Sequence, residues 1–310
     1  MRSYSIVYKD IYALSGDLGV SPRILYSLSN RISGHYHTVA IPKKNGTYRK
    51  LSVPDDILKY VQRRINKVLL CYMPSSGYAM AYEYGKSILK NANPHSNKKC
   101  ILKLDIDDFF DTVKYSQVKE KAFPAAHFAE NLRVLLSQLC YNGEGLPQGA
   151  ATSPKIANLI LRDFDERIGS WCAQRDITYT RYCDDMTFSS DKGLDGVYKY
   201  VRDELFKEGF LLNKDKTKFI DSHHRQKVTG IIVNNSPKVP TEYTKKIRQE
   251  IYYCRKFGIS EHLSHTDSDK SLCEYLASLL GRINYVLSVT PKNEEMKDYK
   301  DQVTIWQKSL

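Results

Sequence analysis

The stretch TRYCDDMTFSS, residues 180–190, sets two aspartates, Asp184 and Asp185, side by side between two runs of β-formers. Such a pattern predicts strand, tight turn and strand. Adjacent carboxylates on a turn repel one another more strongly as water is excluded, so a fold keeps them only where solvent or a cation reaches them. A second stretch, KKCILKLDIDDFFDTV at 98–113, is a β-branched and apolar run that ends in acids. Asp105 closes that strand, with Asp107 and Asp108 further into the turn. Divalent ions bridged by carboxylates would remove the repulsion, and a third carboxylate on a neighbouring strand end would complete such a clamp. An Asp-rich turn without further role is the plain alternative for either stretch taken alone.

The charge balance narrows the partners. Lys and Arg number 47 against 35 Asp and Glu, a formal net charge of +12 over 310 residues. A polyanion is the expected partner. The excess comes with 23 Tyr and 10 Phe that can stack on bases, which favours nucleic acid over a membrane surface. No run of about 18 apolar residues is present and the N-terminus lacks the apolar core of a signal peptide, so the expected location is the cytoplasm. Seven cysteines form no C-x-x-C pair, and no finger-like spacing surrounds His35-Tyr36-His37 or His223-His224, so reduced thiols are expected rather than structural zinc.

Along the chain no repeat, low-complexity tract or long linker appears, so the parts are expected to pack into one body. Residues 10–30 read as helical, with Ser21 as N-cap and Pro22 in the first turn of the second helix. PKKNGTYRKLSVP, 42–54, reads as a hairpin turning at Asn45-Gly46. Apolar residues at 57, 58, 61, 65, 68 and 69 have the period of an amphipathic helix. LPQGAATSPKIANLILRDFDERI, 146–168, reads as a loop, an N-cap at Ser153 and a helix. Residues 197–209 look helical, VTGIIV at 228–233 reads as a strand, and the segment after about 240 is helical and basic. This order gives an α+β fold with an antiparallel sheet.

Y-x-D-D on a hairpin, D-x-x-x-F-F after a strand, and LPQG before a helix opening S-P are together the motif set of reverse transcriptases. The chain resembles that family from about residue 40 to 235. The resemblance implies a right-hand polymerase with fingers, an antiparallel-sheet palm and a helical thumb: an N-terminal helical extension at 1–30, fingers at 31–97 and 117–146, palm at 98–116 and 147–235, thumb at 236–310. It implies that Asp105, Asp184 and Asp185, with the Ile106 carbonyl, hold two Mg²⁺ ions, Mn²⁺ being the alternative, and that the three aspartates are catalytic. It implies a nucleotide pocket of Lys43 or Lys44, Arg49, Phe110, Gln148 and Lys216, in which the Phe110 ring excludes a ribose 2′-hydroxyl. Gly149 is expected to let the backbone approach a ligand closely.

NANPH at 91–95 and VTG at 228–230 resemble marks of the bacterial retron branch. By that resemblance the partners are a cognate structured non-coding RNA, its msDNA product and deoxynucleoside triphosphates. Asn91, His95, Val228, Thr229 and Gly230 would contact the RNA, with Lys245, Lys246, Arg248, Arg255 and Lys256 of the thumb. Synthesis would start at the 2′-hydroxyl of an internal guanosine, with host ribonuclease H removing template and an accessory effector acting in anti-phage defence; no membrane is involved. One departure is YCDD in place of the usual YADD, which sets the Cys183 thiol beside the acids. Group II intron and diversity-generating reverse transcriptases are the alternatives within enzymes, and an inactive RNA-binding scaffold is the alternative outside them.

Overall fold

The computed structural model of the protein describes residues 7–42, 46, 48–265 and 270–309. The expected tip of the first hairpin, with Lys43, Lys44 and Asn45, therefore lies outside the described residues. In chain order the elements are α1 (Ile11–Leu18), α2 (Pro22–Asn30), β1 (Tyr36–Pro42), β2 (Tyr48–Pro54), α3 (Asp56–Val68), α4 (Ile88–Ala92), β3 (Cys100–Asp105), α5 (Phe109–Thr112), α6 (Tyr115–Ala122) and α7 (Glu130–Cys140). There follow α8 (Ser153–Ile160), α9 (Arg162–Ala173), β4 (Thr178–Tyr182), β5 (Asp185–Ser190), α10 (Val197–Lys207), β6 (Lys218–Asp221), β7 (Lys227–Val228), β8 (Ile231–Ile232), α11 (Thr241–Phe257), α12 (Ile259–Ser264), α13 (Leu272–Val289) and α14 (Glu294–Lys308). No described helix is long and apolar enough to cross a membrane.

The chain divides into two compact units, residues 1–86 with 102–219, and residues 87–101 with 220–310. This differs from the expected partition: the NANPH segment and the stretch from 220 to 235 cluster with the C-terminal helices rather than with fingers and palm.

The first unit is built around the sheet, whose order is β4-β5-β3-β6. β3 lies between β5 and β6, and its Leu102 and Leu104 are buried while Lys103 and Asp105, two residues apart on the other face, are partly exposed. Pleat alternation puts both side chains of the latter pair on one side. β4 and β5 form an antiparallel hairpin in which Tyr182 pairs with Asp185, leaving Cys183 and Asp184 as a two-residue turn. Ser21 caps α2 from its side chain, as its sequence position predicts. On α3 the buried face is Leu58, Val61, Gln62 and Ile65, whereas Ile57 is exposed. Gln62 belongs inside because its amide donates to the Leu139 carbonyl and the Tyr36 hydroxyl. The single helix expected after Ser153 is interrupted at Leu161, between α8 and α9. Ser153 is the first helical residue rather than the cap, and its hydroxyl donates to the Pro147 carbonyl at 2.8 Å.

In the second unit, α11, α13 and α14 bury Ile247, Ile251, Leu276, Leu279, Ile283, Met296 and Val303 together with Ala92, Val228 and Ile231. The strand expected over VTGIIV is instead a tight hairpin, β7 turning into β8. Thr229 and Gly230 form the turn with φ of +44° and +89°. Positive φ at both central residues suits the twist of a two-residue hairpin, and glycine takes the second position without strain.

Candidate active site

The turn that carries the acids has an unusual backbone. Cys183 has φ of +61°, a region where a side chain with a Cβ is strained by about 1–2 kcal/mol. Arg181 secures it: a guanidinium nitrogen donates to the Cys183 carbonyl at 2.7 Å. The same nitrogen donates to the Asn158 side-chain oxygen at 3.2 Å, and the rest of the guanidinium is held by Asp165 at 2.8 and 2.6 Å. Arg181 and Asp165 are both fully buried. Tyr179 donates its hydroxyl to the same Asp165 at 2.7 Å. A buried charge is tolerated only when paired and hydrogen-bonded in this way. On the other side of the turn, the Ile106 N–H donates to the Asp184 carbonyl at 3.1 Å, which ties the strand-end motif to the hairpin motif.

These contacts bring Asp105, Asp184 and Asp185 into one electrostatic neighbourhood. The carboxyls of Asp105 and Asp185 are both held above the usual carboxylate range, first by burial and then by their acidic neighbours, with lysines working in the opposite direction. Lys216 lies 2.7 Å from Asp105, and Lys103 lies 2.8 Å from Asp185. Lys216 was expected here from the sequence; Lys103 was not, although its spacing of two from Asp105 on a strand is the signal that places it. Among the described residues no three His, Cys, Asp or Glu side chains are gathered tightly enough to hold an ion as they stand. Three carboxylates with a backbone carbonyl would be the hard-oxygen chemistry that Mg²⁺ takes.

Beside the acids, Phe109 is buried edge-on between Phe110 and Phe210, while Phe110 is only partly covered. Gln148 reaches the Asp111 carboxylate at 3.4 Å. Arg49, on β2, is close enough to Lys216 to oppose its charge. Gly149 lies close against the protein's own backbone. Its N–H donates to the Ser52 carbonyl at 3.0 Å, and a Cβ there would stand 2.7 Å from that oxygen. The Cys183 thiol is buried and pushed up to about 11 by burial and Asp184.

In the second unit the two short motifs meet. The Asn91 amide donates to the Thr229 hydroxyl at 3.3 Å, and that hydroxyl donates to the Ile88 carbonyl at 3.1 Å. Asn91, His95 and Val228 are buried, which differs from the expected display of their side chains to RNA, while Thr229 and Gly230 of the turn are partly exposed. Of the basic residues on α11, Arg248 is engaged by Glu295 and Arg255 by Gln302, both on α14. Those arginines link two helices; they are exposed, as are Lys245, Lys246 and Lys256.

Burial, aided by Lys98, pushes the His95 imidazole down from its ordinary 6.5 to about 3. Because the folded value is depressed, the associated stability is present above pH 6.5 and is lost as pH falls toward 3. At about 1.4 kcal/mol per pH unit, roughly 2 kcal/mol should be gone by pH 5. Urea unfolding at pH 7 and pH 5 checks this, and His95→Gln should flatten the difference.

Reverse transcriptase (RNA-dependent DNA polymerase) is the family whose sequence pattern matches residues 41–233, and the chain belongs to it. It is an RNA-directed DNA polymerase, and its described elements are of the α+β class. Its relatives narrow the branch. It is 31% identical over 304 residues to the Retron Mx65 reverse transcriptase of Myxococcus xanthus, covering 90% of this chain and 68% of that one. Identity is 31% over 266 residues to the Retron Ec86 reverse transcriptase of Escherichia coli, covering 83% and 82%, and 32% over 226 residues to the Retron Ec83 reverse transcriptase of the same species, covering 68% and 72%. The chain is a reverse transcriptase of the retron type.

Proposed function

We propose that the protein copies part of its own structured non-coding RNA into single-stranded DNA, starting from the 2′-hydroxyl of an internal guanosine, so that the product is branched, RNA-linked msDNA. Kinship to the retron enzymes carries this reading, and the joining of the N-A-x-x-H segment to the V-T-G turn through Asn91 and Thr229 supports it. Asp105, Asp184, Asp185 and the Ile106 carbonyl would hold two Mg²⁺ ions. When bound, such ions lower the pKa of the priming hydroxyl and offset charge on the α-phosphate and the leaving pyrophosphate. Arg49 and Lys216 bind the triphosphate, Gln148 lines the pocket, and Lys43 or Lys44 reaches the γ-phosphate. The exposed Lys245, Lys246 and Lys256, with the Thr229-Gly230 turn, grip the RNA by backbone and shape. Residues 236–310 serve as thumb. Host ribonuclease H trims the template, and an accessory effector joins the complex in anti-phage defence in the cytoplasm.

The test is to express the protein with its upstream flanking DNA, purify it, and run the bound nucleic acid on a denaturing gel before and after ribonuclease and debranching enzyme. A discrete DNA whose mobility changes on debranching is the expected result. Linear DNA would reject 2′ priming, and no DNA, with no extension of an added primed template, would favour a binding scaffold.

Phe110 is the sugar gate in this reading. Phe110→Ala should cut discrimination against ribonucleotides by on the order of 10- to 100-fold, the scale of one pocket contact. The ratio of kcat/KM for dGTP and GTP on a primed RNA template measures it.

A further inference from the structure

Two lysines face the three carboxylates, and the proposed function uses only one of them. Lys216 is more than half exposed and stands beside Arg49, where a triphosphate would meet it. Lys103 is placed differently. It sits on β3, two residues before Asp105 and on the same face, with its side chain only 23% exposed and its ammonium 2.8 Å from Oδ2 of Asp185. β3 runs between β5 and β6, so the stem of Lys103 springs from the middle of the sheet rather than from a loop that could carry it away. The ammonium therefore occupies a carboxylate oxygen of the one residue, Asp185, that starts β5 directly after the turn. A mere surface ion pair would lie on an exposed face, where such pairs contribute little. This one is set among groups whose other expected task is to bind cations.

We propose that Lys103 is a built-in counter-ion of Asp185, so that a divalent cation engages Asp185 only by displacing the ammonium, and tight cation binding awaits the added negative charge of a nucleotide. This rests on the reading of Asp105, Asp184 and Asp185 as metal ligands. Lys103 is a positioning residue: it acts through Asp185 and touches neither substrate nor reacting atoms. The physical argument is charge competition at short range. A cation beside Oδ2 is repelled by an ammonium a few ångströms away, and an incoming triphosphate compensates that repulsion by bringing anionic oxygens of its own. The carboxylates are thereby kept satisfied between turnovers without a resident ion.

Mn²⁺ titration of the full-length protein, stripped with chelator and read by the electron paramagnetic resonance of the free aquo ion, tests this without any turnover. Lys103→Met should bind Mn²⁺ on the order of tenfold more tightly than wild type in the absence of nucleotide. Lys103→Arg, which keeps the charge, should stay near wild type. Adding a deoxynucleoside triphosphate should tighten Mn²⁺ binding in wild type by a larger factor than in Lys103→Met. Lys103→Gln replaces Lys103→Met if the latter fails to give a cooperative thermal transition. Asp184→Asn separates the two layers. If it weakens Mn²⁺ binding while the neutral Lys103 variants bind as wild type does, the counter-ion role is overturned and the ligand reading stands. If Asp184→Asn binds Mn²⁺ as tightly as wild type, the ligand reading is overturned and the inference with it.

Discussion

Asp184→Asn should abolish DNA synthesis, by at least about a thousandfold, while making the protein no less stable. The activity loss follows if the carboxylate is one of those that hold the catalytic ions, since an amide oxygen carries no formal charge. Loss of that stabilisation removes several kcal/mol from the transition state, and about 4 kcal/mol is a factor of a thousand. The stability half comes from the electrostatics. Asp184 is one of the charges that push up the carboxyls of both Asp105 and Asp185, and no hydrogen bond to its own side chain offsets that repulsion among the described residues. Replacing it with a neutral isostere relieves repulsion in the free protein. Primer extension on a primed RNA template, thermal unfolding without divalent ions, and RNA retention on purification separate the effects. Retained synthesis would sink the metal-ligand assignment, and a large fall in melting temperature would show that Asp184 serves the fold rather than the chemistry.

The site was legible in proportion to how locally its parts are encoded. Asp105, Asp184 and Asp185 could be brought together on paper because strand alternation, a two-residue turn and motif order all act over a few residues. Lys103 was equally open to alternation, but one lysine before an acidic strand end is inconspicuous in a chain with 47 basic residues. The V-T-G turn was missed because its first residue, Thr229, adopts a left-handed conformation that its side chain disfavours, and tertiary hydrogen bonds to Asn91 and Ile88 accompany it. The break at Leu161 carries no proline or glycine, the usual local signal. Two polar residues of α8 sit inside instead: Asn158 bridges Glu83 and Arg181, and Lys155 is buried against Glu83. Burial of His95 and Asn91 was hidden because a polar loop segment reads as surface.

Arg181 is the extreme case of a role hidden from the sequence, and it yields the second large effect. Arg181→Met should cost about 3–5 kcal/mol, because it strands the buried Asp165 charge along with the Asn158 and Cys183 oxygens. For a protein of this size each kcal/mol moves the melting temperature by roughly 2–4 °C, so a fall on the order of 10 °C is expected. The double variant Arg181→Met with Asp165→Asn removes the stranded charge and leaves an amide oxygen for the Tyr179 hydroxyl, and it should recover most of the lost stability. It should not recover synthesis. The Cys183 carbonyl would still lack its donor, and the left-handed turn that aims Asp184 and Asp185 would be free to relax toward less strained backbone. Stability measured by thermal unfolding should therefore return while kcat stays depressed and half-saturating Mg²⁺ stays raised. If the double variant regains both together, the guanidinium is a stability element alone, and the aim of the Cys183-Asp184 turn is set by the Ile106 N–H on its other side.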